Sequence, residues 1–423
     1  MKVFKFGGAS VKDAEGIINL GKIVLTEQDD LVIVVSAFGK TTNALEGLLK
    51  AWLDGSNKYE ACLAAIYKDH LDVIEKLFID PTIAREKTDI LFDNLKEFLS
   101  SGKFSSYDSD YDQVVSCGEL FSTIIVAEYL KTQLPSVKWI DIRENLITDD
   151  RYRDANIIWD ESSARVNAAF NFEKNRIYVT QGFIGGTSAG KTTTLGREGS
   201  DYTAAILANI LDAEKVVVWK DVPGIMNADP KWFDGAEKLE EISYKEAVEM
   251  TFSGAKVIHP KTIKPLHNKN IPLHVRSFLA IDDKGTIIKS DAELKKVLPV
   301  FVRKEEQILI SILPKDFSFV MGENLGRIFH SFLHHGIKVN LVEASAVSLD
   351  VCVDDERSRI ETFIKENKDD FSAVYNEDVE LLSVRHYTTD AIEKITSGRE
   401  ILLEQRTRST VRYVVRKAQR LNG

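Results

Sequence analysis

Lys2-Val3-Phe4-Lys5-Phe6-Gly7-Gly8-Ala9-Ser10 opens the chain. An apolar-rich run that stops on two glycines reads as a strand leaving a sheet through a tight turn. Ile17, Ile18, Leu20, Ile23 and Val24 then recur at helical spacing, and Leu31-Val32-Ile33-Val34-Val35 is an unbroken apolar run. Such a run suits a strand buried on both faces. Strand, turn, helix and strand form a βαβ unit, and its crossover implies a parallel sheet covered by helices.

Outward from this unit, 42–103 is rich in Leu, Ala and Lys without strand alternation and reads as helical, giving a subregion over 42–110. A second αβ set follows, with helices over 116–130 and 200–211 and strands over 138–142, 176–180 and 216–219. Ser200 reads as the N-cap of the second of these helices, with Asp201 in its positive first turn. A further turn and helix occupy 254–267. After about residue 290 the alternation changes. Strands are expected at 308–313, 338–343, 347–353, 379–385, 401–406 and 411–416, with helices at 324–334, 357–367 and 389–395. The charge-rich stretch 282–304, with Gly285 and Pro299, marks the boundary. The expected domains are 1–292 and 300–423. The latter divides into a unit near 305–370 and a shortened one over 371–423, one and a half copies of a βαββαβ pattern.

The chain has 423 residues, room for two or three domains, and 44% hydrophobic and 28% charged residues, as in a globular protein. A net charge of −10 argues against nucleic acid or an anionic membrane as the main partner. Cys62, Cys117 and Cys352 form no C-x-x-C pair. They read as buried small hydrophobes in a reducing compartment. No apolar run approaches membrane-spanning length and the N-terminus begins on a strand, so the expectation is a cytoplasmic protein.

Several motifs bear on chemistry. Lys5 at a strand end, with Gly7 and Gly8 opening toward a helix, offers a mobile cation and approachable backbone N–H groups to a phosphate. A plain strand-to-helix turn would use the same residues. Gly185-Gly186-Thr187-Ser188-Ala189-Gly190-Lys191-Thr192 fits the P-loop pattern letter for letter. A P-loop must run straight into a helix, however, and Thr192-Thr193-Thr194-Leu195-Gly196 is poor helix material. Residues 182–199 therefore read as a glycine-rich loop or hairpin over a site. Arg197, before the helix at Ser200, is placed to clamp a carboxylate, unless it simply pairs with Glu198. Lys220 and Asp221 follow a buried strand, at the edge where open α/β sheets bind ligands. Ser36 and Thr42 also follow a buried strand. Glu119 sits within an apolar stretch, and Lys256 lies between small residues and an apolar pair.

As a set these segments resemble one family, the aspartate kinases of the amino-acid kinase superfamily. The resemblance runs in order through Lys5-Phe6-Gly7-Gly8-Ala9-Ser10-Val11, Val35-Ser36-Ala37 with Thr42-Asn43, and Ser116-Cys117-Gly118-Glu119-Leu120-Phe121-Ser122. It continues through Gln181-Gly182-Phe183-Ile184-Gly185, 192–202, Trp219-Lys220-Asp221-Val222-Pro223-Gly224-Ile225 and Gly254-Ala255-Lys256-Val257-Ile258-His259-Pro260. It implies a three-layer α/β sandwich with a mainly parallel sheet, followed by an α+β ACT-type regulatory module. The implied reaction is ATP-dependent phosphorylation of the L-aspartate β-carboxylate, with Mg²⁺, to 4-phospho-L-aspartate. That is the first step toward lysine, threonine and methionine.

The resemblance also assigns residues. Lys5, Gly7, Gly8 and Asp201 would be catalytic. Ser36, Thr42, Glu119, Arg197 and Ser200 would bind substrate, Arg197 taking the α-carboxylate and Glu119 the α-ammonium. Lys5, Gly8, Lys220, Asp221, Met226, Lys231 and Lys256 would line the nucleotide side. No residue is assigned as a metal ligand. In the ACT module, Ser318, Met321, Val339, Asn340 and Ser345 fall at effector positions. Lysine-sensing members usually carry acidic residues where Asn340 and Ala346 stand here, so lysine, threonine or no effector remain open. A homodimer or higher homo-oligomer is implied. Departures from the family pattern are Ala9 for Thr, Glu198 for Gly, Met226 for an aromatic residue and Lys231 for Arg.

Overall fold

Strand Lys2–Phe6 lies parallel between Leu31–Val35 and Lys215–Lys220, at the centre of an eight-stranded sheet. In spatial order the strands are Val137–Ile140, Ile177–Gln181, Leu31–Val35, Lys2–Phe6, Lys215–Lys220, Leu273–Ser277, Thr286–Lys289 and Glu241–Ser243. Every adjacent pair is parallel except Leu273–Ser277 with Thr286–Lys289. The structure, a computed structural model, describes residues 1–56, 58–102, 104–255, 258–292, 298–316 and 318–416.

The first crossover is helix Ala14–Leu25, capped by Asp13, whose Oδ1 accepts the Gly16 N–H at 2.9 Å. Capping of this kind satisfies a helix-end donor that has no partner within the helix. One sheet face carries Phe4, Phe6, Ile33, Val35, Val179 and Trp219, packed with Ile17, Leu20, Ile124 and Val126 of the covering helices. Alternation sends Lys5 to the other face, over which helix Gly199–Ile210 runs beside Pro260–Asn268. The helical subregion comprises Thr41–Leu53, Lys58–Leu77 and Thr82–Ser100, with a core of its own. The P-loop look-alike is a hairpin: Ile184–Thr187 pairs antiparallel with Thr192–Thr194.

One composition-based expectation changes. The helical stretch Tyr107–Gln133 is apolar and long enough to cross a membrane, but 89% of its most apolar window is buried inside the fold. Cys117 and Cys352 are buried, and burial pushes both thiols up to about 12.

The chain divides into two compact units: Met1–Ile225 with Lys238–Val248 and Val257–Glu293, and Met226–Glu237 with Glu249–Lys256 and Leu294–Gly423. The second unit thus takes in 226–237 and 249–256, which the sequence reading gives to the first domain. Its six-stranded antiparallel sheet runs Val339–Ala344, Leu349–Asp354, Val300–Pro314, Phe371–Arg385, Thr410–Arg416 and Ile401–Arg406. Val300–Pro314 and Phe371–Arg385 are both 15 residues long, and each serves two four-stranded halves. One half is a complete βαββαβ unit over 307–379, built on Ile308, Ile310, Phe332, Val351 and Phe363.

The other half begins with 379–385, continues through helix Thr389–Thr396 and the last two strands, and takes 300–304 as its fourth strand. It is therefore not a tail confined to 371–423. Ala228 and Phe233 share its core, with Phe233 stacked on Phe301 at 4.1 Å between centroids. They cover sheet that has only the one helix, which is why 226–237 belongs to this unit.

Candidate active site

The carboxyl ends of Lys2–Phe6, Leu31–Val35, Ile177–Gln181 and Lys215–Lys220 meet the first turns of helices Cys117–Gln133 and Gly199–Ile210 at a cleft of about 570 Å³. This is the sheet edge where open α/β folds bind ligands. Close approach depends on glycine. A Cβ on Gly8 would stand 2.6 Å from the Ala37 carbonyl oxygen, and one on Gly182 would stand 2.5 Å from Ser200 Cβ.

At the floor, Lys5 Nζ lies 2.7 Å from Asp201 Oδ1, and Lys220 Nζ lies 3.8 Å from Oδ2. Burial alone would raise the Asp201 carboxyl. The two ammonium groups, Lys5 first, outweigh that and hold it below the ordinary range. Gly7 sits against this lysine, its Cβ position being 3.5 Å from Lys5 Nζ. On one wall the Ser36 hydroxyl donates to Ser200 Oγ at 2.9 Å, and Thr42 faces the same space.

Glu119 differs in kind. It is 3% exposed, not a solvent-face carboxylate. Its Oε1 accepts the Ala37 N–H at 3.3 Å, while Oε2 is buried and among the described residues has no hydrogen-bond partner. Burial pushes this carboxyl up to about 8, against the smaller opposing pulls of the Ala37 N–H and Lys5. A buried carboxylate oxygen without a donor, on a residue that lines the cleft, suits a cationic ligand group. At the mouth, Arg197 is exposed and among the described residues makes no ion pair or hydrogen bond. Its neighbour Glu198 bonds elsewhere, to the His259 backbone.

Of the residues expected from sequence, Lys5, Gly8, Ser36, Thr42, Glu119, Arg197, Ser200, Asp201 and Lys220 line this one cleft. Asp221 does not; it is exposed beyond the strand end. Met226 and Lys231 belong to the segment counted with the second unit. Lys256 lies outside the described residues. Ser200 is not the N-cap: the helix starts at Gly199 and Glu198 is its cap, which leaves the Ser200 hydroxyl to meet Ser36.

Sequence reasoning missed Tyr111, Arg153 and Phe183, which also line the cleft. Arg153 has φ +67°, and its N–H donates to Asp112 Oδ2 at 3.0 Å. Its guanidinium lies 4.7 Å from the Tyr111 ring centroid and 3.1 Å from Asp108 Oδ1. Asp112 is buried and also holds the Thr194 N–H and hydroxyl, at 2.8 and 2.7 Å. Two acidic side chains on one helix, Asp108 and Asp112, were the only sequence signal for this support.

In the second unit, the Ser318 hydroxyl donates to Asp316 Oδ1 at 2.6 Å, and the Val320 N–H reaches the Ala346 carbonyl at 3.0 Å. Ser318, exposed Met321 and Ser345 therefore lie on adjoining segments. Val339 opens the strand Val339–Ala344 at the sheet edge. Asn340 is committed within the sheet. Its amide accepts from Lys304 at 2.7 Å and donates to Gln307 and Asp354, each at 2.7 Å.

The family model for the amino acid kinase family matches residues 1–277. Lysine-sensitive aspartokinase 3 of Escherichia coli is 33% identical over 356 residues, spanning 83% of this chain and 78% of the relative. The crystal structure of E. coli aspartokinase III with aspartate and ADP, in its R-state, superposes with a TM-score of 0.82 at 27% identity, over 98% of this chain and 96% of that one. The same enzyme with lysine and aspartate, in its T-state, gives 0.83 at 27% identity and the same coverage.

Proposed function

The chain belongs to the amino-acid kinase family and, within it, to the aspartokinases, and from that premise we propose how its cleft carries out the reaction. The substrate is L-aspartate and the phosphoryl donor is ATP. Glu119 receives the α-ammonium through Oε2, and Arg197 takes the α-carboxylate as a bidentate clamp. Ser36, Thr42 and Ser200 then direct the β-carboxylate toward the floor.

A carboxylate is already ionised at neutral pH, so no general base is needed. One of its oxygens forms a bond to the γ-phosphorus as the bond to the β-phosphate oxygen breaks, giving 4-phospho-L-aspartate and ADP. Lys5 carries a positive charge to the phosphoryl oxygens where negative charge concentrates. The Gly7 and Gly8 N–H groups and Lys220 add to it, and Asp201 keeps both ammonium groups in place. Among the described residues no cluster of three or more His, Cys, Asp or Glu could hold a metal alone. Mg²⁺ carried on the nucleotide phosphates would neutralise phosphate charge, and Asp201 at the cleft floor is a carboxylate that would help hold it. The observation that carries this reading is the buried, unpartnered Glu119 Oε2 in the same cleft as the Lys5–Asp201 pair.

The 307–379 half of the second unit is the proposed effector-binding part, through Ser318, Met321, Val339 and Ser345, with Asn340 serving the sheet beneath. Phe319, Met321 and Leu333 on its surface are 74%, 59% and 77% exposed, which supports a homodimer formed through this half.

Purified protein with ATP, Mg²⁺ and aspartate is expected to give a hydroxylamine-trappable acyl phosphate, and N-acetylated aspartate or glutamate is not. Absence of the acyl phosphate from aspartate would overturn the assignment. Running the assay with and without lysine or threonine identifies the effector.

A further inference from the structure

Glu198 stands where the resembling enzymes usually have glycine, and its backbone is in the region that favours glycine, at φ +54°. A side chain in this conformation is strained unless something holds it. Two contacts hold it here. Its Oε2 accepts the His259 backbone N–H at 2.9 Å. Its carbonyl accepts the N–H groups of Asp201 at 3.0 Å and Tyr202 at 3.2 Å, closing the first turn of helix Gly199–Ile210.

The other end of the short loop is closely packed. A Cβ on Gly196, itself at φ +78°, would stand 2.7 Å from Asp154 Oδ1. Asp154 pairs with the Lys261 ammonium. Lys261 begins the same helix as His259, whose Nδ1 accepts the Lys261 N–H at 3.2 Å. Gly196-Arg197-Glu198 is thus bonded through Glu198 to the start of helix Pro260–Asn268 and packed at Gly196 against Asp154, the partner of Lys261, and among the described residues Arg197 between them has no partner of its own.

A carboxylate beside Arg197 would ordinarily compete with substrate for the guanidinium. Here it is turned away and occupied. We propose that Glu198 is a positioning residue for Arg197. Its bond to His259 fixes the reversed bend of the loop, aims the guanidinium into the cleft and removes the competing carboxylate. This rests on the reading of Arg197 as the clamp for the substrate α-carboxylate.

Glu198→Gly tests it, because the variant relieves the strained backbone while deleting the acceptor, so loss of folding does not confuse the result. Expected is a rise of about 5- to 10-fold in aspartate KM, the scale of one hydrogen bond, with kcat and ATP KM within about twofold and Tm not lowered. Glu198→Gln keeps an acceptor and is expected to restore aspartate KM to within about twofold of the native enzyme. On an Arg197→Ala background, Glu198→Gly should add no further loss. An unchanged aspartate KM in Glu198→Gly overturns the proposal. So does an effect that persists in full without Arg197, or a Glu198→Gln enzyme as impaired as Glu198→Gly. If Arg197→Ala alone leaves aspartate KM unchanged, the clamp reading itself fails and takes this proposal with it.

Discussion

The Lys5 ammonium and the Asp201 carboxylate stand 2.7 Å apart with almost no access to solvent. Lys220 approaches the second carboxylate oxygen. Two cations thus share one anion, and the cluster presents a net positive charge at the cleft floor. Lys5 reaches this point because strand alternation turns it away from Phe4 and Phe6, over to the face of the Asp201 helix.

Replacing Lys5 by Met should leave aspartate KM nearly unchanged and lower kcat by at least roughly 100-fold, because the missing charge matters most as the phosphoryl group transfers. Steady-state kinetics with trapped acyl phosphate measures it. Turnover at the native rate would remove Lys5 from the mechanism.

With Glu119 as the proposed α-ammonium site, aspartate binding should be pH-dependent. In the free enzyme burial raises this carboxyl to about 8, so it is protonated at neutral pH. A bound ammonium favours the carboxylate, so binding must release that proton. Affinity therefore rises as pH climbs toward 8 and levels off above it. Aspartate KM should fall by up to about tenfold per unit over this range, and Glu119→Gln should flatten the profile at a weaker KM. A profile that is flat in the native enzyme contradicts this role.

Arg153 projects positive charge at the mouth from a left-handed backbone. Arg153→Ala should raise aspartate KM by about threefold or more and make it less sensitive to salt, since screening acts on such exposed charge. Comparing KM at low and high ionic strength for both proteins decides the matter. An equal salt response in the two would assign Arg153 to the loop fold alone.

Lys304, Asp354 and Asn340 form the polar centre of the second unit's sheet. Lys304→Met leaves the Asp354 carboxylate with its amide donors but no cation and should cost about 1–3 kcal/mol, seen as a lower Tm in calorimetry at neutral pH. Below the ordinary aspartate range the difference should shrink. The Asp354 carboxyl is held low by Lys304, Gln307 and Asn340 against the effect of burial, and that stabilisation is lost as acid protonates it. Equal melting temperatures at neutral pH would mean the network adds nothing.

The first βαβ unit was legible because Leu31–Val35 is apolar at every position, which only a doubly covered strand tolerates. The site was legible where glycine, a cation and a strand end coincide, at Lys5, Gly8 and Lys220. It was hidden where distant residues create it. Asp150-Arg151-Tyr152-Arg153 reads as an exposed polar loop, and contacts from another element, by Asp108, Tyr111 and Asp112, hold Arg153 at the cleft. The two long strands were read in part, as 308–313 and 379–385. Their remaining lengths carry Arg303-Lys304-Glu305-Glu306 and Tyr375-Asn376-Glu377-Asp378, which look like connectors. Glu306 and Asp378, both at φ +54°, lie where the strand register shifts, so charge and irregular backbone coexist with continued pairing.

Those shared strands also set an order of assembly. Residues 300–304 leave the ribosome before the whole 307–379 half, yet their strand partner is 381–385; their contacts to earlier residues include those of Phe301, whose N–H donates to the Asn227 carbonyl and whose ring stacks on Phe233. Until that strand arrives they lack their ladder partner and carry Val300, Phe301 and Val302, the kind of segment that recruits another chain. The complete half, with its local helices and strands, is expected to close first and hold the long strands in register. A chain cut after it would keep that sticky edge permanently.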